Sequence, residues 1–262
     1  MSVHPTAIVD RTARLGEGVV LGPCSVVEAD VEIGARTELR AHAVVKRHTT
    51  IGEDNTIHEG AILGGEPQDV SFAGGETRLE IGSGNRIREG VTINRASKPG
   101  GVTRVGSGCF LMAYSHIAHE NRIGDNVVVV NNVAFAGHVE VGDRAFVGGG
   151  SMVHQFCRVG RLAMIGGKSS VRQDALPFVT SDGSPSRAYG LNLVGLRRAG
   201  VPAEHIRALK EGYRLLLRAS LRLPDALERM AAVQDPLVDE VIAFVRTCKR
   251  GFGHAARSGA EV

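Results

Sequence analysis

Val3-His4-Pro5-Thr6-Ala7-Ile8-Val9-Asp10-Arg11-Thr12-Ala13-Arg14-Leu15-Gly16-Glu17-Gly18-Val19-Val20-Leu21 places an aliphatic side chain at 3, 9, 15 and 21, and Ala7, Ala13 and Val19 four positions after the first three. A step of six does not fit the helical 3.6 but extends the strand period of two, so each hexad reads as a short strand and a turn. The phase continues outward through Val27, Ile33, Leu39, Val45, Ile51, Ile57 and Leu63, resumes at Ile81, Ile87 and Ile93, and runs again from Val105 to Val171. Between 3 and 171 only Asp69, Gly75 and Pro99 break it, in Gly- and Pro-rich stretches that read as two excursions near 64–80 and 95–104. Glycine often follows the aliphatic position directly, as at Gly16, Gly34, Gly52 and Gly106, and marks the turn. Three hexads close one triangular coil of about 18 residues, and stacked coils form a mainly β architecture, a parallel β-helix filled along its axis by these side chains.

Composition narrows the function classes. The 262 residues carry 31 Lys and Arg against 28 Asp and Glu, with no Trp and 4% aromatic residues. That balance argues against a polyelectrolyte or a base-stacking platform, so no nucleic-acid partner is expected. Cys24, Cys109, Cys157 and Cys248 form no C-x-x-C pair, which points to a reducing compartment rather than a disulfide framework or zinc cluster. Met1-Ser2-Val3-His4-Pro5 has no charged n-region, and no run approaches the ~20 apolar residues of a membrane span. The expectation is a cytoplasmic protein without a transmembrane segment.

After Val171 the period stops. Pro177–Ala188 reads as a loop, Ala203–Leu221 as a helix with Ile206, Leu209, Tyr213, Leu216 and Leu217 on one face, and further helices are expected after Pro224 and Pro236. The predicted organisation is a β-helix over 1–190 and a helical domain over 191–262. Residues 192–262 hold 12 Lys and Arg against 8 Asp and Glu, so the excess positive charge gathers there.

Residues 18 apart stack at about 4.8 Å, the spacing between strands. His119, Gly137 and Gln155 therefore form one column, with His138 and His154 within a residue of it and His116 at the preceding corner. A neutral imidazole can take a proton from a hydroxyl near pH 7, Glu120 can orient the ring, and Gly137 leaves its backbone N–H approachable by an oxyanion. This is the equipment of acyl transfer. Zinc held by His116, His119 and a third His from another coil or subunit, as in the hexapeptide-repeat carbonic anhydrases, is the alternative. Gly166-Gly167-Lys168-Ser169 ends like a phosphate-binding loop but lacks its first Gly, Leu162 standing there. Cys109 and Cys157 fall at inward positions and read as packing residues.

His116-Ile117-Ala118-His119-Glu120, Asn131 to Val139 and Val153-His154-Gln155-Phe156-Cys157 together resemble the UDP-N-acetylglucosamine acyltransferases that begin lipid A synthesis, within the hexapeptide-repeat acyltransferases. The likeness extends to His4-Pro5-Thr6-Ala7, Pro67-Gln68-Asp69, Asn85 to Glu89, and Gly190-Leu191-Asn192 through Arg198. It implies a left-handed β-helix and a homotrimer with a site in each cleft between subunits. An acyl chain, often 3-hydroxylated, would pass from acyl carrier protein to the 3-hydroxyl of UDP-N-acetylglucosamine, with no cofactor and no metal. It also implies His119 as general base, Glu120 as its support and the Gly137 N–H as oxyanion donor. Asp69, His116, His138, His154, Gln155, Asn192 and Arg198 would surround the sugar nucleotide. Arg197, Arg198 and the basic helix face would meet the acidic carrier protein. Gly167, expected on a different face of the prism from His119 but in the same intersubunit cleft, would set acyl chain length, unless it serves only to give a turn a positive φ. Ser71, Asn94 and Val194 depart from the family's usual Lys, His and Glu. A 3-amino sugar nucleotide, giving an N-linked chain, therefore stays open beside the 3-hydroxyl. A scaffold without catalysis conflicts with the His119-Glu120 pair. The enzyme acylating the pathway's other sugar position would need an N-terminal uridine-binding domain, for which the repeats leave no room.

Overall fold

Strands pair in parallel with the third strand onward, at Ser2↔Val20, Ile8↔Val26 and Arg14↔Glu32. The computed structural model describes residues 1–255; residues 256–262, the end of the predicted helical domain, lie outside the described residues. The pairing sorts the short strands into sheets of 11, 9 and 8 strands, the three faces of a left-handed parallel β-helix. Within each two-residue strand the second side chain points to the axis, so Leu21, Leu39, Ile57, Ile87 and Leu111 are buried in one continuous cluster. Inward asparagines link the coils along the axis: Asn85 donates through Nδ2 to Asn55 Oδ1 at 2.9 Å, and Asn85 Oδ1 accepts the Cys109 N–H at 2.7 Å.

The broken hexads appear as changes of register. Ile62 pairs with Thr92, and Thr92 with His116, in place of the 18-residue step that His116↔Ala134 restores. The excursions are narrower than the sequence suggests, because Arg78–Ile81 and Val102–Val105 are strands. Corners are built in two ways. At positions that are multiples of six the backbone enters the left-handed region, as at Glu120 (φ 54), His138 (φ 59) and Phe156 (φ 65). The glycine after the aliphatic position meets a different need: a Cβ on Gly34 would lie 2.5 Å from the carbonyl carbon of Gly52 in the next coil.

The segment expected as a loop from Pro177 holds strand Val179–Asp182, antiparallel to Arg187–Leu191. A β-hairpin thus closes the eleven-stranded sheet, and its non-local pairing leaves no periodic trace in sequence. Four helices follow, α1 (Leu193–Arg198), α2 (Ala203–Leu217), α3 (Leu223–Ala231) and α4 (Pro236–Arg246). α2 ends at Leu217 rather than Leu221. Two arginines fasten α4 to the prism: Arg158 binds Asp174 at 2.8 Å and lies 4.1 Å from the Phe244 ring centroid, and Arg161 binds Glu240 at 2.7 Å. Among the described residues no helix is long and apolar enough to cross a membrane.

Candidate active site

Three successive coils bring His119, Gly137 and Gln155 to the corner between the nine- and eight-stranded sheets. His119 is 7% exposed. Its Nδ1 is hydrogen-bonded to Glu120 Oε2. The ring lies directly over Gly137, where a Cβ would fall 2.4 Å from His119 Cε1, so glycine is required for the imidazole to occupy this position. Among the described residues nothing accepts the Gly137 N–H.

Glu120 and His138 take the left-handed turn positions of their coils and are half-buried at the same corner. His138 Nε2 is 3.7 Å from Glu120 Oε2, and its ring sits edge-on to His119 with centroids 5.4 Å apart. Phe156, next in that row, stacks on His138 at 4.7 Å. Burial pushes the Glu120 carboxyl up, but hydrogen bonds from His119 and from the Ser97 and Lys98 N–H groups outweigh it and hold the group below its ordinary value. Burial, joined by the neighbouring His119, lowers His116. Burial also lowers His138, against the opposing pull of Glu120. Both rings therefore favour the neutral form.

His116 is on strand His116–Ile117, not at a corner, and its Nδ1 shares a 2.8 Å hydrogen bond with Thr92 Oγ1. It lines an open groove of about 500 Å³ with His119, Gly137, His154, Gln155 and Arg172. Gln68 of the first excursion closes one side. Asp69 is held low by the Ser71 N–H and hydroxyl, at 2.9 and 2.8 Å, with smaller contributions from Ser97 and His119. Asn94 is buried behind this loop, its Nδ2 donating to the Glu66 carbonyl at 2.8 Å.

Asn192 and Arg198 are elsewhere in the chain. They line a second groove, of about 580 Å³, on the eleven-stranded face with Phe146, Met164 and Val194. Asn192 is the N-cap of α1, accepting the Gly195 N–H at 2.9 Å and donating to the Leu162 carbonyl at 2.9 Å. Gly167 is at the corner between the eleven- and nine-stranded sheets, the opposite edge of the face that His119 borders, rather than on a separate face. The left-handed residue of its turn is Lys168 (φ 58), so the turn does not require glycine at 167.

Among the described residues two groups of His and carboxylate atoms come within 4.8 Å of one another, His119-Glu120-His138 and His58-Glu59-Glu89. In the first, His119 Nδ1 and Glu120 are already hydrogen-bonded to each other. In the second, Arg88 holds Glu89 at 2.8 Å and Arg40 contacts His58 Nδ1 at 3.3 Å, so cationic side chains occupy the space of an ion. Among the described residues His116 joins neither group. Cys109 and Cys157 are buried thiols pushed up to about 11. Gln68, Ser97 and Thr103 join the site without a signal in sequence spacing, because the excursions that bring them in are tertiary features, whereas Phe156 and Arg172 follow His138 and His154 by 18 residues and the coil repeat already stacks them there.

Residues 174–253 match the family described as UDP-N-acetylglucosamine O-acyltransferase, domain 2, and residues 12–47 the bacterial transferase hexapeptide repeats. An acyl-[acyl-carrier-protein]–UDP-N-acetylglucosamine O-acyltransferase of Alkalilimnicola ehrlichii is 45% identical over 95% of this chain and 98% of its own length. That of Herminiimonas arsenicoxydans is 43% identical over the same shares. The crystal structure of the UDP-N-acetylglucosamine O-acyltransferase of Moraxella catarrhalis superposes with a TM-score of 0.94 at 41% identity, covering 96% of this chain and 99% of that one.

Proposed function

From the premise that this chain belongs to the acyl-[acyl-carrier-protein]–UDP-N-acetylglucosamine O-acyltransferase family, and is an acyltransferase, we propose a transfer in which His119 is the base. The donor is an acyl chain, 3-hydroxylated or plain, on acyl carrier protein, and the acceptor is the 3-hydroxyl of UDP-N-acetylglucosamine. The observation that carries this reading is the His119 ring, tied at Nδ1 to Glu120 and seated over Gly137, whose N–H has no acceptor among the described residues. With Nδ1–H donated to the carboxylate, the Nε2 lone pair faces the groove. Nε2 takes the hydroxyl proton as the sugar oxygen attacks the thioester carbonyl. Glu120 stabilises the imidazolium, and the Gly137 N–H meets the negative charge on the carbonyl oxygen. Collapse breaks the carbon–sulfur bond, and the imidazolium returns its proton to the leaving thiolate.

A homotrimer completes the site in this reading. The outward rows of the eight-stranded face are charged, with Glu32, Glu80, Arg104, Arg122 and Glu140, whereas those of the other two faces are mainly apolar, with Val20, Phe110, Val128, Ile8, Val26 and Met152 beside Glu38 and Arg86. Apolar rows favour burial between copies and charged rows favour water. Packing the eleven-stranded face of one copy on the nine-stranded face of the next brings Asn192 and Arg198 toward the groove of His116, His119, His154 and Gln155. The four free cysteines fit a reducing cytoplasmic setting. Purified protein incubated with acyl carrier protein thioesters and either the 3-hydroxy or the 3-amino sugar nucleotide, with products resolved by mass spectrometry and hydroxylamine cleavage, tests the assignment. A hydroxylamine-labile monoacyl product supports it. A stable amide formed only on the amino sugar would replace the acceptor, and no product with any thioester would sink the reading.

A further inference from the structure

We propose that Ser97 is a positioning residue for the His119-Glu120 pair, an inference that rests on the reading of His119 as base. Glu120 is on a flexible two-carbon stem and has two imidazoles within reach of one oxygen, His119 by hydrogen bond and His138 at 3.7 Å. Something must hold Oε2 on the first. The second excursion supplies it: the Ser97 N–H donates to Glu120 Oε1 at 2.6 Å, the Lys98 N–H to the same atom at 3.1 Å, and the Ser97 hydroxyl is 3.2 Å from each oxygen. Three donors fix the plane of the carboxylate, and Ser97 Oγ is the one side chain among them.

The cradle is itself held. Arg95, 5% exposed, donates to Thr77 Oγ1 at 3.1 Å and Gly64 O at 3.4 Å and pairs with Glu66 at 3.2 Å, pinning the start of the loop to the first excursion. At its far end Thr103 Oγ1 accepts the Glu120 N–H at 2.9 Å. A hydroxyl has one proton, so the Ser97 hydroxyl shares it between the two Glu120 oxygens.

Steady-state kinetics of Ser97→Ala, Ser97→Thr and the Ser97→Ala/Glu120→Gln double variant test this, each accompanied by a melting curve. Ser97→Ala should lower kcat about 3- to 10-fold, the effect of one shared hydrogen bond to an anion, with the sugar-nucleotide KM within about twofold. Ser97→Thr, which keeps the hydroxyl, should restore it. Removing the hydroxyl when Glu120 is already Gln should add almost nothing, because the two residues act as one unit. If Ser97→Ala does not fold, Ser97→Cys, close in volume and a weaker donor, should show the same kcat loss. An unchanged kcat, an undiminished loss in the Glu120→Gln background, or a rise in sugar KM alone would overturn the proposal. His119→Ala tests the underlying base reading separately: wild-type turnover there removes the base whatever Ser97 does.

Discussion

His119 sits between two constraints that leave its ring one orientation: Glu120 takes Nδ1, and the absent Cβ of Gly137 makes room beneath. His119→Ala should therefore keep the fold while turnover falls about 10²- to 10⁴-fold, the size of a general-base contribution. Circular dichroism beside a radiochemical transfer assay would check both halves, and near-wild-type turnover would refute the role. Glu120→Gln should lose less, since an amide oxygen still accepts the Nδ1 proton but no longer balances an imidazolium. The pair was legible in sequence because its members are side chains placed by an 18-residue repeat. The Ser97 and Lys98 N–H groups were not, since a backbone donor leaves no mark on residue identity and its direction depends on the path of an excursion.

At the scale of the coil, the hexad states the core and the strand register almost completely, even to the excursions, where breaks at Asp69, Gly75 and Pro99 correspond to the longer pairing steps Ile62↔Thr92 and Thr92↔His116. It cannot separate two kinds of glycine. Gly34 touches the next coil backbone to backbone, while Gly60 occupies a left-handed turn (φ +70) with nothing within 4 Å of its Cβ direction. Gly34→Ala should cost about 1–3 kcal/mol or more through overpacking. Gly60→Asn, a residue that Asn126 and Asn132 show in equivalent turns, should stay within about 0.5 kcal/mol of wild type. Denaturant melts of the two variants decide it, and equal losses would mean that the corners are governed by one requirement. In α2, Arg214 is paired with Glu211 at 2.6 Å, whereas Arg207 and Lys210 are exposed and among the described residues have no partner. Reversing those two to Glu should raise KM for the acyl carrier protein donor about tenfold, leave that for the sugar nucleotide in place, and fade at high salt. Equal movement of both constants would return this face to ordinary solvation.

Across the whole assembly, the proposed trimer sets one copy's His119 and another copy's Gly167 along the same intersubunit cleft. The pair is about 2.7 coils apart, which at about 4.8 Å per coil is roughly 13 Å along the axis. An extended chain advances about 1.25 Å per carbon, from single bonds near 1.5 Å at tetrahedral angles. The level of Gly167 is therefore reached roughly ten carbons beyond the reacting carbonyl, and the wild-type protein should prefer donors of about 12 to 14 carbons. Gly167 is exposed, and a Cβ there would meet the Gly149 carbonyl oxygen at 3.4 Å, an ordinary contact, so a larger side chain can be carried without moving the coil. Gly167→Met should shift preference toward about ten carbons and largely spare turnover with that shorter donor, because the obstruction stands beyond its end. Competition between donors of graded length, with products read by mass spectrometry, gives the answer directly. Equal loss at every length would mean that the substitution disturbs the corner or the packing of copies, and Gly167 would then have no part in measuring the chain.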